Sequence, residues 1–374
     1  MVKFSPCGQY IAVSHEKQIH IWNTPGGKKE FAPFALHRRY TGHSEAVTAL
    51  DWSDDSAFFV TGSRDATCRI YTLHPRAGYR PVTLTAHRDK IVSVFFKKGT
   101  LDLYTVSKDG TLLVWRHREE EAPVAMAIEP AAGDATSSSD DDDDDGDSEE
   151  RRSGPESESG SETEVAGPIA AVMVPKWSLT KEDKHYFLQD HAKVICAVLH
   201  KATDVLSVGF SNGTFGLYEL PAFNNIHTLS ISQKRISSCA VNASGEWLAF
   251  GCAKLGQLLV WEWQSETYVL KQQSHQHEMT SVAYSPDGQL LATGGADAKV
   301  KLWNTGSGFA TITFTEHTAE ITGLTFGKNG MVILSASLDG TVRAFDLVRY
   351  RNFRTFTSPE YGNFFFFLVV VLDI

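Results

Sequence analysis

Short stretches in which apolar side chains alternate with polar ones, or run without interruption, recur in groups along the chain. VTALDW, FFVTGS and CRIYTL lie between Val47 and Leu73, and IVSVFF, LYTVS and LLVW between Ile91 and Trp115. Alternation with period two marks a strand covered on one face, and a short apolar run marks a strand covered on both. Turn sequences separate such stretches, as in SPCG at Ser5–Gly8 and SPDG at Ser285–Gly288, where Pro and Gly reverse the chain. The pattern predicts an all-β chain of short antiparallel strands.

A signature repeats in step with these strands. Thr293, Asp297 and Trp303 follow His275 at offsets of 18, 22 and 28 residues. The same offsets recur at His43, Thr61, Asp65 and Tyr71, at His87, Thr105, Asp109 and Trp115, and at His317, Ser335, Asp339 and Phe345. His43 and His87 are 44 residues apart, and His275 and His317 are 42 apart, which is the period of a four-stranded WD-type propeller blade. A single blade is too small to bury its own core and must stack on neighbours around an axis.

The residue types follow from that burial. In a blade the histidine precedes the first strand, the aspartate sits in the turn between the second and third, and the hydroxyl and aromatic lie on the strands themselves. Buried polar groups need partners, and aspartate, imidazole, hydroxyl and indole N–H can close a satisfied network. A Ser-His-Asp set also suggests a hydrolase, but a nucleophile needs one exposed site with an oxyanion hole. Four repeated copies point to a structural device.

Taken in order, the units number seven. Val2–Trp22 carries SPCG and IHIWN, counterparts of SPDG and VKLWN, and reads as a unit that lacks its beginning. Intact units start at His43 and His87, and the repeat then stops from Glu119 to Lys176. WSLTKEDKHYF (Trp177–Phe187) reads as an outer strand returning to the propeller, and His191 restarts the repeat. The 84 residues from His191 to His275 hold two degenerate units, one with Asn212 in the aspartate position and one from Ser232 to Trp261 with no histidine. The units at His275 and His317 are regular. The predicted fold is a WD-repeat β-propeller of seven four-stranded units, the first incomplete. Residues 1–118 hold units one to three, 119–176 an acidic insert, 177–358 units four to seven, and 359–374 an apolar tail.

Charge separates the insert from the blades. Glu119–Lys176 has 18 Asp and Glu against 3 Lys and Arg, a net of −15, whereas the whole chain is −10 and the remainder therefore +5. Such a segment, with SSSDDDDDDGDSEE at Ser137–Glu150, cannot build a core and is expected to be a disordered loop between blades. Five cysteines, odd in number and without a C-x-x-C pair, predict reduced core thiols. The N-terminus has neither a signal nor a transit pattern, and no apolar run of 18 residues predicts a membrane span. Metal-ligand spacing, a phosphate loop and a nucleophile elbow are also missing, so the chain reads as a non-enzyme with no cofactor.

Two segments carry a more specific resemblance: Phe223–Gln273, with LGQLLVWEWQ, and Asp339–Pro359, with RAFDLVRYRNFRTFTSP. They resemble the periodic tryptophan protein 2 family, over roughly Val2–Pro359 and with an acidic insert in the same place. The resemblance implies a nucleolar, non-catalytic scaffold of the small-subunit processome. It would assemble with other WD-repeat proteins on pre-ribosomal RNA, beside the small nucleolar ribonucleoprotein that guides 18S processing. No membrane and no small-molecule substrate is expected. Family members carry about two further blades before the position of Met1 and most of a second propeller after Pro359, so the chain reads as a fragment. On that alignment the first propeller would finish at Trp261 and the units at His275 and His317 would begin a second. Alternatively all seven units share one ring, and the strand near Arg349–Thr357 could complete the first blade.

The tail EYGNFFFFLVVVLDI leaves the family pattern and reads as non-native or else as a closing strand; its nine apolar residues from Phe364 to Leu372 form an aggregation hazard. Basic and aromatic residues interleave at Arg343, Arg349, Tyr350, Arg351, Phe353 and Arg354, of which Arg349, Tyr350, Arg351 and Arg354 are candidate RNA contacts; a solvent-facing basic strand is the plainer reading. Ser137, Ser138 and Ser139 each have an aspartate three residues on, the pattern an acidophilic kinase prefers, against which stands a passive solubilising loop. A ubiquitin-ligase substrate receptor is the alternative function. Trp115–Arg118 approaches its W-D-x-R box but lacks the aspartate.

Overall fold

The computed structural model describes residues 2–23, 36–75, 79, 81–124, 172–187, 192–253, 256–327 and 330–357. Contacts divide the chain into Met1–Arg118 with Trp177–Ile374, and Glu119–Lys176; the ring belongs to the first of these. It consists of seven antiparallel sheets, each of four strands paired in sequence order. These blades run over Val2–Tyr40, Val47–Thr85, Ile91–Tyr186, Val194–Ser230, Ile236–Gln273, Met279–Phe314 and Ile321–Thr357, and are numbered 1 to 7.

The second strand of each blade explains why sequence pattern and fold agree. FFVTGS (Phe58–Ser63), LYTVS (Leu103–Ser107) and VLSVGF (Val205–Phe210) are buried along their whole length, as expected for a strand covered by a neighbouring blade on each side. Seven apolar clusters fill the seams. Ile19 and Ile21 meet Trp52 and Phe59 between blades 1 and 2; Leu258 and Val260 join Met279 and Leu291 between blades 5 and 6. The ring closes where Ile11 and Val13 meet Leu334 and Ala344. Nothing divides the ring after Trp261, because Trp261 belongs to the seam between blades 4 and 5 and the next seam follows directly.

Three expectations change. The first unit, read from the sequence as incomplete, supplies a whole four-stranded sheet, with Val2–Phe4 as its innermost strand and Leu36–Tyr40 as its outer one. Arg351–Thr357 does not complete blade 1. It pairs with Thr341–Asp346 in blade 7, because a hairpin partner that ends only five residues earlier closes at far less entropic cost than one in blade 1. The third and fourth strands of blade 3 run from Thr111 to Val124 and from Val172 to Tyr186, into the span assigned to the acidic loop. A segment of high net charge can still continue a hairpin, because strand pairing is made position by position along the backbone and not set by the charge of the whole segment. The tail beyond Thr357 and the acidic run 140–150 lie outside the described residues.

Candidate functional site

The four signature copies sit where the top of one blade's second and third strands meets the loop into its first. In blade 6 the network is complete. His275 Nδ1–H donates to Asp297 Oδ1 at 2.9 Å, Thr293 Oγ1 lies 2.9 Å from His275 Nε2, and Trp303 Nε1–H donates to Thr293 Oγ1 at 3.0 Å. Blade 2 joins His43 to Asp65 at 3.0 Å and to Thr61 at 2.8 Å, and blade 7 joins His317 to Asp339 at 2.8 Å and to Ser335 at 2.6 Å. Their aromatics differ: the Tyr71 hydroxyl donates to the Thr41 carbonyl at 3.4 Å, while Phe345 offers only its ring, 6.5 Å from that of His317.

Blade 3 departs from the expected pairing. Asp109 does not touch His87 directly; the Thr111 hydroxyl stands between them, 3.1 Å from His87 Nδ1 and 2.8 Å from Asp109 Oδ1. The carboxylate is already taken by the Ser107 hydroxyl and the Thr111 amide. His87 keeps Thr105 at 2.7 Å, and Trp115 donates to Thr105 at 2.9 Å. In blade 4, Asn212 Oδ1 accepts from the Thr214 amide and hydroxyl at 3.1 and 2.6 Å, which closes the same turn without a charge. His191 lies outside the described residues.

Electrostatics follow from burial. Burial pushes His87 down to about 4, with Asp109 opposing it only in part, and lowers His43, His275 and His317 for the same reason. Burial raises the Asp339 carboxyl, yet hydrogen bonds from Thr341, His317 and the Thr318 amide outweigh it and hold the group at about 2. Asp65, Asp109 and Asp297 are lowered in the same way. The imidazoles are thus neutral at pH 7. The hydroxyls of Thr61, Thr105, Thr293 and Ser335 are fully buried, so none is placed to attack a substrate.

Sequence reasoning missed one polar device. The innermost strands of blades 2 to 7 each carry a register shift near their first residues. A hydroxyl there often reaches the next blade: Thr48 to the Ile91 carbonyl at 2.6 Å, Ser93 to Ala197 at 3.1 Å, Ser237 to Met279 at 2.5 Å, and Thr280 to Ile321. The signal was legible as Ser or Thr one or two residues after the first apolar position of a unit.

Most of the large exposed apolar residues gather on blades 5 to 7: Tyr268, Phe309 (70 % exposed), Met331, Val348 and Tyr350. The last two stand in the turn before Arg351, with Arg349 between them, and both arginines are exposed. Arg354 pairs in register with Ala344 on the outer strand. Arg343 is half-buried on the third strand, apart from that exposed group. Ser137, Ser138 and Ser139 lie outside the described residues. All five cysteines are free thiols, and the described residues contain no group of three or more His, Cys, Asp or Glu able to hold a metal.

A closed ring of four-stranded blades, tied internally by His-Asp-hydroxyl networks, defines a WD-repeat β-propeller. The family described as WD domain, G-beta repeat matches residues 34–72, 78–116, 266–304 and 308–346, the four spans that hold the four signatures. The chain belongs to the periodic tryptophan protein 2 family. It is 44 % identical over 96 % of its length to the periodic tryptophan protein 2 homolog of Mus musculus, and 39 % identical over 96 % to periodic tryptophan protein 2 of Arabidopsis thaliana. It spans 39 % and 42 % of those two proteins. A crystal structure of the computationally designed Ika8 protein superposes with a TM-score of 0.62, covering 95 % of this chain and 85 % of that one at 18 % identity; that likeness concerns the fold alone.

Proposed function

We propose that the chain is part of a non-catalytic scaffold for small-subunit ribosomal RNA maturation in the nucleolus, joined there to other WD-repeat proteins and to pre-ribosomal RNA. The observation that carries this reading is its identity of about two fifths, over nearly its whole length, to proteins named periodic tryptophan protein 2, a family whose resemblance implies that role. The ring supports it physically. Its signature residues are consumed in holding blades together, and its exposed aromatic and arginine side chains lie on turns and outer strands, where a partner can reach them.

Purification of the tagged chain from nuclear extract, with identification of the RNA and proteins retained, tests the proposal. Ribosomal RNA precursor and nucleolar WD-repeat proteins are the expected yield. Recovery of a cullin complex instead would establish the ubiquitin-ligase reading, for which Trp115–Arg118 offers little: Arg116 is engaged by Glu182 at 3.0 Å.

A further inference from the structure

At one mouth of the ring's axis, side chains from four blades converge on a single buried carboxylate. Asp51, on the innermost strand of blade 2, is 4 % exposed. Its Oδ1 accepts from Lys3 Nζ of blade 1 at 2.8 Å, and its Oδ2 lies 2.9 Å from Lys201 Nζ of blade 4 and accepts from the Phe96 amide of blade 3 at 2.8 Å. Lys201 also donates to the Trp52 carbonyl at 3.2 Å. Lys201 follows the innermost strand of a blade that is not adjacent to blade 2, so its side chain reaches across the front of blade 3. Lys3, Asp51 and Lys201, together with Phe4, Trp52 and Thr325 of blade 7, wall a cavity of about 310 Å³.

The charges there do not balance. Two ammonium groups face one carboxylate, which leaves +1 at the cavity. Donors are also in excess. An ammonium carries three N–H groups; Lys3 uses one and Lys201 two on the protein, so three remain. Partly buried cations with spare donors are most stable when an anion completes them, and apolar walls strengthen that attraction by excluding water. We propose that this axial mouth is a binding site for one small oxyanion, a carboxylate or a phosphate group, presented to the ring by a partner's acidic or phosphorylated side chain.

The test is thermal melting of the whole chain in inorganic phosphate and, separately, in acetate, each against sodium chloride at equal ionic strength. At a hundredfold excess of ligand over its Kd the melting temperature should rise by about 4 °C. Lys201→Gln and Lys3→Gln should each abolish most of that rise, whereas Lys271→Gln, an exposed lysine on the outer strand of blade 5, should keep it. A rise with phosphate alone assigns the site to phosphorylated groups, and a rise with both anions assigns it to carboxylates as well. If the unaltered chain shows no rise beyond chloride, or if both lysine variants keep the full rise, the site does not exist. Should Lys201→Gln fail to fold, Lys3→Gln alone decides, since the more exposed Lys3 holds only one oxygen of Asp51.

Discussion

At the residue scale the signature copies are one device in several states of completion, and their differences make distinct predictions. Asp297 accepts from His275, from the Gln276 amide at 3.3 Å and from the Lys299 amide at 3.3 Å. Asp297→Ala strips those donors of a partner, and melting should show a loss of about 1–3 kcal/mol. Asp55 caps an exposed turn through the Ala57 amide at 3.0 Å, where water replaces it, so Asp55→Ala should cost less; the reverse order would contradict the network. Acid stability has a defined sign. The buried histidines have folded pKa values below the ordinary 6.5, so the unfolded chain takes up protons first as the pH falls. Their contribution is complete above pH 6.5 and is lost between 6.5 and the folded value, about 4 for His87, at no more than about 1.4 kcal/mol per pH unit for each group. The aspartates add a second loss below 3.8, extending to about 2 for Asp339. His87→Gln should flatten the upper limb of a melting-temperature profile; an unchanged slope from pH 6.5 to 4 would show that His87 does not drive it. The histidine, hydroxyl and aspartate positions were legible because their spacing repeats. The Thr111 relay was not, since which of two acceptors a ring nitrogen meets depends on how the turn is already satisfied.

At the scale of the element, two features set each blade. One is the turn between second and third strands, where Gly110 and Gly340 adopt positive φ but Ala66 and Ala298 hold φ of 61° at the same place. A β-carbon costs roughly 1–2 kcal/mol in that region, partly offset by the greater freedom glycine has in the unfolded chain. Ala298→Gly should therefore raise stability slightly, by about 0.5 kcal/mol, and a fall in melting temperature would show that the alanine side chain is otherwise needed. The other feature is the hydroxyl that bridges to the next blade. Thr280→Val keeps the shape but leaves the Ile321 carbonyl without that donor, a loss of about 1 kcal/mol by denaturant titration; no loss would mean that the carbonyl finds water. Strand positions could be read from apolar runs, since burial on both faces leaves few alternatives. The extended third and fourth strands of blade 3 could not, because net charge describes a segment as a whole while pairing is decided residue by residue.

At the scale of the whole molecule the ring has one seam unlike the others. Between blades 7 and 1 the buried cluster shrinks to Ile11, Val13, Leu334 and Ala344, and Thr322, the counterpart of Thr280, donates within its own blade to the Ala336 carbonyl at 3.3 Å. Each blade is built from its own consecutive strands, so among the described residues no strand is shared between blade 7 and blade 1. Local opening follows low buried contact. Hydrogen exchange should release the amides of Ile11, Val13 and Leu334 before those of Val60 and Val208, and uniform protection around the ring would refute a weak seam. The sequence by itself determined the blade: period, strand order, turn residues and the polar network are all encoded within about 40 residues, where local pattern and burial agree. It left open whether seven blades make one ring, because a blade's flanks are apolar on both sides and fit any neighbour of like shape. Only the tertiary structure decided that Leu334 meets Val13, and that Lys3, Asp51 and Lys201, nearly 200 residues apart in the chain at their extremes, share one cavity. Closure sums small rotations over all seven blades, and no local stretch of sequence carries that sum.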